Sequence, residues 1–407
     1  MRYDIQLPDS KSIKIRQMMV SFVLDREIPP VTEGDAHDVH IVRRALCAIR
    51  RSSVETFHET SLHLPTVIDV EDCGTAYRFL MPLLAVKESC WLLTGTSRLM
   101  QRPIEPLVSV LQGIGADIRR VGEGWIIHGK MLPSVETLRA TSLQQRENAN
   151  KKHHGGLSLT LDASQSSQMA SALVLAAPLL NLRTLRLITP DIPSLSYLKM
   201  TLACTRHWPV EIPGVDVPDA SIGLLGDWSA ALFWFAHACL HPDETYSLSP
   251  LSLKSIQGDS VIYQWFSKLN IDISTNDSSV VIHALPLDNV PKLVLDVHDN
   301  LDTVPVMAAL AALLPADITF LNVRNLQYKE SDRLAALTTQ LRPYADLTLA
   351  DNTLQVIGKG RGFHNMPCFD THHDHRLAMA FLLFGPSATL SDTDCLKKSY
   401  PELLKQI

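Results

Sequence analysis

The sequence predicts an α/β protein of two or three domains, and three observations carry that expectation. The first is length: 407 residues, at roughly 100 to 200 per domain, are more than one core usually serves. The second is a set of six Ala/Leu-rich apolar runs of about 12 residues, each preceded by a polar loop. The third is the short β-like run that follows a turn after most of these helical patterns.

The six runs are 13–24, 75–86, 168–180, 229–240, 303–314 and 375–384. They start roughly 60 to 90 residues apart, too far for a solenoid, so each is read as one supersecondary unit. After the second run, a strand at 91–94 leads to an amphipathic helix at 104–111 and strands at 116–118 and 125–128. After the fifth, a strand at 318–323 leads to a helix at 332–341 and strands at 346–349 and 353–357. Periodicity alone does not exclude an ordinary doubly wound sheet. Residues 26–34, with two prolines, read as a loop, and the polar stretch SLQQRENANKKHHGG (142–156) as a surface excursion. His153 and His154 there have no spaced carboxylate or thiol to make a metal site with them.

Thirty-seven Lys+Arg against 43 Asp+Glu leave a net charge of −6, which argues against a broad nucleic-acid surface but not against a pocket for small anions. No apolar stretch reaches the roughly 18 residues of a membrane span, and the N-terminal residues lack a signal peptide's apolar core. A cytoplasmic protein is the expectation. Seven cysteines (Cys47, Cys73, Cys90, Cys204, Cys239, Cys368, Cys395) are odd in number and never paired as C-x-x-C, which favours reduced thiols.

The usual nucleotide-binding and hydrolase fingerprints are missing. Gly113-Ile114-Gly115 follows a helical pattern and reads as a helix C-cap rather than a dinucleotide turn. What stands out is a polar cluster at the N-terminal edge of each apolar run. These are Ser10-Lys11-Ser12 with Arg16, Asp72-Cys73-Gly74-Thr75 with Arg78, Ser166-Ser167-Gln168, and Gly226-Asp227-Trp228-Ser229. Further on come Asp302, Lys329-Glu330-Ser331-Asp332-Arg333 and Asp374-His375-Arg376. A helix N-terminus offers free N–H groups and a positive dipole end, and adjacent Lys, Arg and Ser add charge-assisted donors. Each cluster on its own is equally an N-cap.

In order along nearly the whole chain, several motifs resemble the enolpyruvyl transferase family, on its shikimate branch. They are PDSKSIKIR (8–16), DCGTAYRFL (72–80), RLMQRPIEPL (98–107), DASQSSQ (162–168), PSLSY (193–197), GDWSAA (226–231), SIQGD (255–259), NLQYKESDRL (325–334), DHRLAMA (374–380) and CLKKSYP (395–401). The resemblance implies two similar domains, each of three βαβαββ units in an inside-out α/β barrel, with the active site in the cleft between them. It places residues 1–10 with 226–407 in one domain and 11–225 in the other. The activity implied is transfer of the enolpyruvyl group of phosphoenolpyruvate to the 5-hydroxyl of shikimate 3-phosphate by addition and elimination. No metal or organic cofactor, no nucleic acid, no membrane and a monomeric state go with it.

Carried over by motif, Lys11 contacts both substrates, and Ser12 and Arg16 bind shikimate 3-phosphate together with Ser166, Ser167, Gln168, Ser194 and Tyr197. Gly74, Arg102, Arg333, Arg376 and Lys398 hold phosphoenolpyruvate, with Gln168 also reaching it. Asp302 matches the proton acceptor, and Lys329 and Asn325 face the shikimate hydroxyls. Glu330 is the acid/base partner of the carbon that becomes a methyl group, although Glu330 and Asp332 also fit an exposed helical ion-pair face. Histidines 372, 373 and 375 suggest a metal less well than Arg376 suggests an anion clamp.

The chain departs from the family pattern at Asp9, Lys14, Ile15, Cys73 and Leu301. Residues 26–70 match poorly. A sister enzyme acting on UDP-N-acetylglucosamine carries a Cys in the loop before its Arg-Pro, where this chain has Ser97. A non-catalytic binding protein that kept the fold is the third reading; the retained cluster of Lys11, Arg102, Asp302, Glu330, Arg333, Arg376 and Lys398 argues against it.

Overall fold

The structure is a computed structural model that describes residues 1–52, 64–130, 156–219, 223, 226–276, 278–285, 292–362 and 366–407. Of the polar stretch 142–156 only Gly156 is described, so His153 and His154 lie outside the described residues.

All six apolar runs are helices: Lys11–Val23, Gly74–Val86, Ser167–Leu175 continued by Ala177–Leu180, Trp228–Leu240, Val304–Leu313 and His375–Leu382. Ala and Leu favour the helix, and these segments bury themselves on nearly every side, which marks core helices. Val304–Leu313 is buried along its whole length, and its Pro305 sits in the first turn, where a missing N–H costs nothing.

Four of these helices start at a side-chain cap. Asp227 accepts from the Ala230 amide at 3.1 Å, Asp374 from the Arg376 amide at 2.9 Å and Ser166 from the Gln168 amide at 3.3 Å. The Cys73 thiol does the same for the Ala76 amide at 3.4 Å. The helix Glu105–Gly113 ends as expected at the Gly113-Ile114-Gly115 turn, where Gly115 takes φ +96°, a conformation open to glycine.

The chain forms two compact units, one of Met1–Lys14, Thr32–Val39 and Ala220–Ile407, the other of Ile15–Val31 and His40–Asp219. In the first, Arg2–Gln6 pairs parallel with Thr245–Ser249, which continues antiparallel to Val280–Ala284 and then Ile271–Thr275. A second sheet repeats the order with Leu293–Asp296, Asp317–Leu321, Thr353–Gly358 and Ala345–Ala350. A parallel pair, Cys368–Phe369 with Thr389–Leu390, completes that unit's described strands.

The other unit carries the same four-stranded pattern in Thr66–Asp69, Ser89–Thr94, Gly124–Gly129 and Asp117–Val121, and a parallel pair, Leu157–Leu161 with Leu182–Leu187. The βαβαββ pattern is therefore complete in three places and shortened to a parallel pair in two more. Among the described residues each sheet stays separate and none closes into a barrel.

Strand burial alternates, as in Val280–Ala284 and Leu293–Asp296, so one face of each sheet packs on the core helices. Residues 26–32 are irregular, as the two prolines predict, but a helix absent from the sequence reading, His37–Ser52, follows them.

Candidate active site

In the unit that ends the chain, the sequence-predicted residues come together around Arg333. Asp332 caps the helix Arg333–Gln340 by accepting from the Ala335 amide at 3.0 Å, which turns the Arg333 side chain inward from the first helical position. Arg333 is 1% exposed, and its guanidinium reaches three carboxylates. Nη1 donates to Asp302 Oδ1 at 2.8 Å, Nη2 to Glu330 Oε2 at 2.7 Å, and Nε to Asp374 Oδ2 at 2.7 Å. Burial works against its charge, but Asp374, Glu330 and Asp302 more than offset that and push its pKa up.

Asp302 sits just before the helix Val304–Leu313 and also meets Lys329 Nζ at 2.9 Å. Loss of water favours its protonation, yet Lys329, Arg333 and Arg376 outweigh that and hold its carboxyl well below the usual carboxylate range. Asn325 lies half-buried one turn before Lys329.

Asp374 is fully buried and acts as the hub. Besides Arg333 it accepts from Ser331 Oγ at 2.9 Å and caps the next helix through the Arg376 amide. Arg376 Nη1 donates to the Ser229 carbonyl at 3.2 Å, and Ser229 Oγ in turn donates to Asp259. Asp259 also accepts from Asn300 Nδ2 at 3.2 Å; burial raises its pKa even though Arg376 opposes this. The imidazole of His375 is buried, and that burial, then Lys11 and Arg376, push its pKa well below the ordinary histidine value. Lys398 is buried as well.

Lys11 opens the helix Lys11–Val23 and pairs with Asp38 at 2.9 Å, so the unpredicted helix His37–Ser52 supplies the partner of a predicted site residue. Lys14, one of the departures, pairs with Asp35 at 2.6 Å and lies 3.7 Å from Asp9, a second departure. Two unusual residues in the sequence thus answer each other's charge.

The other unit carries its own cluster. Gly74 begins its helix so close to Arg102 that a Cβ there would lie 2.5 Å from Arg102 Nη1. Arg78, one turn on, is 2% exposed and bonds Gln168 Oε1 at 3.0 Å, the Gly74 carbonyl at 3.3 Å and the Pro103 carbonyl at 2.8 Å. Gln168 Nε2 completes the link by donating to Thr75 Oγ1 at 3.2 Å. Ser167 Oγ donates to the carbonyl of Ser194, which holds φ +58° at the start of the helix Leu195–Cys204. Ser166 caps the preceding helix.

Arg16 is 2% exposed. It is spent inside the unit, with Nε donating to Thr201 Oγ1 at 2.7 Å, Nη2 to the Tyr197 carbonyl at 2.9 Å and the guanidinium over the Phe79 ring. Burial lowers its pKa to about 10.

The structure therefore gathers Asp302, Lys329, Glu330, Arg333 and Arg376 in one unit, and Gly74, Arg102 and Gln168, joined through Arg78, in the other. Sequence reasoning named Arg78 and Asp374 only as members of polar clusters, and it missed Asp38 and Asp259 as partners. The Gly74-to-Arg78 spacing of one helical turn was the signal for Arg78; nothing local marks Asp38, whose partner is distant in sequence. What the geometry can do is hold anions and keep two carboxylates, Asp302 and Glu330, on one guanidinium.

Comparison with known proteins agrees. A family model described as EPSP synthase (3-phosphoshikimate 1-carboxyvinyltransferase) matches residues 2–407. The chain is 27% identical over 418 residues to a 3-phosphoshikimate 1-carboxyvinyltransferase of Bacteroides fragilis, covering 98% of this chain and 92% of the relative. It is 25% identical over 436 residues to the enzyme of that name from Methanospirillum hungatei, covering 100% and 95%. Among solved structures, an EPSP synthase from Acinetobacter baumannii aligns with TM-score 0.65 at 17% identity, over 100% of this chain and 94% of that one. The enolpyruvyl transferase NikO from Streptomyces tendae aligns with TM-score 0.64 at 14% identity, over 99% and 93%. The fold is thus the two-domain α/β fold of these structures, and with the family model matched from end to end the chain belongs to the EPSP synthase family.

Proposed function

We propose that this protein transfers the enolpyruvyl group of phosphoenolpyruvate to the 5-hydroxyl of shikimate 3-phosphate, releasing phosphate. The observation that carries the reading is the Arg333 hub, which keeps an ionised Asp302 and a second carboxylate, Glu330, on one cation. In this reading Glu330 acts in its protonated form, giving its proton to the methylene carbon of phosphoenolpyruvate with Lys11 alongside, and the neighbouring carbon becomes electrophilic. The 5-hydroxyl oxygen bonds to that carbon while Asp302 takes the hydroxyl proton. Elimination then breaks the carbon–phosphate oxygen bond, returns the methyl proton to Glu330 and restores the double bond in the product.

Arg102, Arg333, Arg376 and Lys398 hold the carboxylate and phosphate of phosphoenolpyruvate, and Gly74 leaves room for Arg102. Lys329 and Asn325 take the shikimate hydroxyls. Ser12, Ser166, Ser167, Gln168, Ser194 and Tyr197 take its phosphate and ring, and Arg16 contributes by fixing Tyr197. The domains in this reading are 1–10 with 226–407 and 11–225. Support for that division comes from compact units with nearly the same limits, although 11–14 and 32–39 group with the C-terminal half. The protein works as a cytoplasmic monomer; among the described residues no helix is long and apolar enough to cross a membrane.

The test is phosphate release from phosphoenolpyruvate, which should occur only when shikimate 3-phosphate is present. Release with UDP-N-acetylglucosamine instead would assign the sister activity. Binding of both ligands by calorimetry without release would make the protein a non-catalytic relative, and no binding of either would end the reading.

A further inference from the structure

Apart from these residues, the end of the helix Trp228–Leu240 carries a cluster that the reaction does not use. His237 and His241 stand one turn apart with rings stacked, centroids 4.0 Å apart and planes 20° apart. One ring nitrogen from each and one Glu244 carboxylate oxygen all lie within 4.8 Å of one another, and the three residues are half-buried.

The surrounding hydrogen bonds decide the tautomers. The Tyr246 hydroxyl has a single proton and donates it to Glu244 Oε2, so it must accept from His237 Nδ1, 2.9 Å away. His241 Nδ1 faces the His237 carbonyl at 2.9 Å, and a carbonyl only accepts. Both rings therefore carry their proton on Nδ1 and present an unprotonated Nε2, the form in which imidazole binds a metal. An Nδ1–H held by an oxygen is also how metal-binding histidines are oriented. Tyr3 stacks on Tyr246 with centroids 5.3 Å apart and donates to Glu244 Oε1 at 3.4 Å, so two phenols steady the carboxylate.

We propose that His237, His241 and Glu244 bind a divalent transition metal, zinc above all, which ties the end of the helix Trp228–Leu240 to the strand Thr245–Ser249. Two imidazoles and a carboxylate suit zinc with one position left for water, whereas calcium and magnesium require oxygen ligands. Zinc bonds of about 2.0 to 2.2 Å set tetrahedral ligand atoms roughly 3.4 Å apart, so side chains whose ligand atoms now lie within 4.8 Å must close by up to about 1.4 Å and turn their Nε2 atoms to the metal, side-chain rotations open to half-buried groups. The carbonyl end of the helix adds a negative dipole beneath the cation. Arg361 contributes an opposing positive field at His237.

The full-length protein, stripped with a chelator and titrated calorimetrically with zinc chloride, should take up one zinc per chain. His241→Ala and Glu244→Gln should each weaken uptake by about tenfold or more. Zinc should raise the melting temperature of the parent protein but not of His241→Ala. Cupric ion should quench Trp234, whose ring lies 5.7 Å from His237, and zinc should reverse the quenching. No uptake overturns the proposal, and so does equal uptake by the parent protein and both variants, which scattered surface histidines would explain. Should His241→Ala fail to fold, Glu244→Gln and the reversal of quenching in the parent protein decide. None of these readouts depends on turnover, so failure of the phosphate-release assay leaves them intact.

Discussion

Arg333 Nη1 donates to Asp302 Oδ1 at 2.8 Å, and the same guanidinium holds Glu330 at 2.7 Å. One buried cation thus fixes the spacing and charge of both carboxylates assigned to proton transfer. Because Lys329, Arg333 and Arg376 keep Asp302 ionised against its loss of water, it is ready to accept a proton but is a weak base as it stands. An anionic ligand that draws Lys329 and Arg333 toward itself would relax that hold and make Asp302 more basic when the hydroxyl arrives.

Asp302→Asn tests the base directly. The amide still meets Lys329 and Arg333 but takes no proton, so turnover should fall by about 10²- to 10⁴-fold with KM for both substrates within a few-fold. Steady-state kinetics measure it. Unchanged turnover would remove Asp302 from the role.

Acid should act through two groups in separate windows. His375 is held neutral in the fold, whereas in the unfolded chain it protonates near its ordinary value of 6.5. Below that pH the unfolded state binds the extra proton, so stability falls as pH drops, by up to about 1.4 kcal/mol per unit from this group. Asp302 has a depressed folded value, so its contribution is complete above the ordinary 3.8 and is lost only as pH falls below that. Urea unfolding of His375→Gln between pH 6.5 and 4.5 should show a shallower slope than the parent protein, while Asp302→Asn should match the parent's slope there.

Gly74→Ala should act on phosphoenolpyruvate. A methyl at that position would stand 2.5 Å from Arg102 Nη1, so the guanidinium must move off. Losing one charge-assisted contact of about 1.5 to 3 kcal/mol should raise KM for phosphoenolpyruvate roughly 10- to 100-fold. KM for shikimate 3-phosphate should stay nearly constant; an equal rise in both would show a general disturbance of the unit instead.

Asp374→Ala should cost stability before it costs binding. It leaves Arg333 Nε without its partner in a buried setting and uncaps the helix His375–Leu382. About 3 to 5 kcal/mol from the broken buried pair and about 1 kcal/mol from the cap are expected. The urea midpoint reads this, and a parental midpoint would show that the hub is dispensable to folding.

Much of the architecture was legible from local pattern. The six apolar runs became core helices because Ala/Leu content and a polar edge, with a capping residue in four of them, are nearest-neighbour information. His37–Ser52 escaped because it alternates charged and apolar residues beside a proline-rich loop and lies where the motif match was poorest. His237, His241 and Glu244 escaped for a different reason: only the turn into Thr245–Ser249 brings the carboxylate beside the two rings.

The ordered motifs determined the family, the residue types of the site and the charge classes of its ligands, since these depend on identity and sequence spacing alone. What they left undecided was which charges neutralise which. That Arg333 joins Asp302 and Asp374, that Lys11 meets Asp38, and that Arg16 is turned inward onto Tyr197 are pairings between residues distant in sequence. Coulomb energy and desolvation depend on distance and burial, and folding alone supplies both.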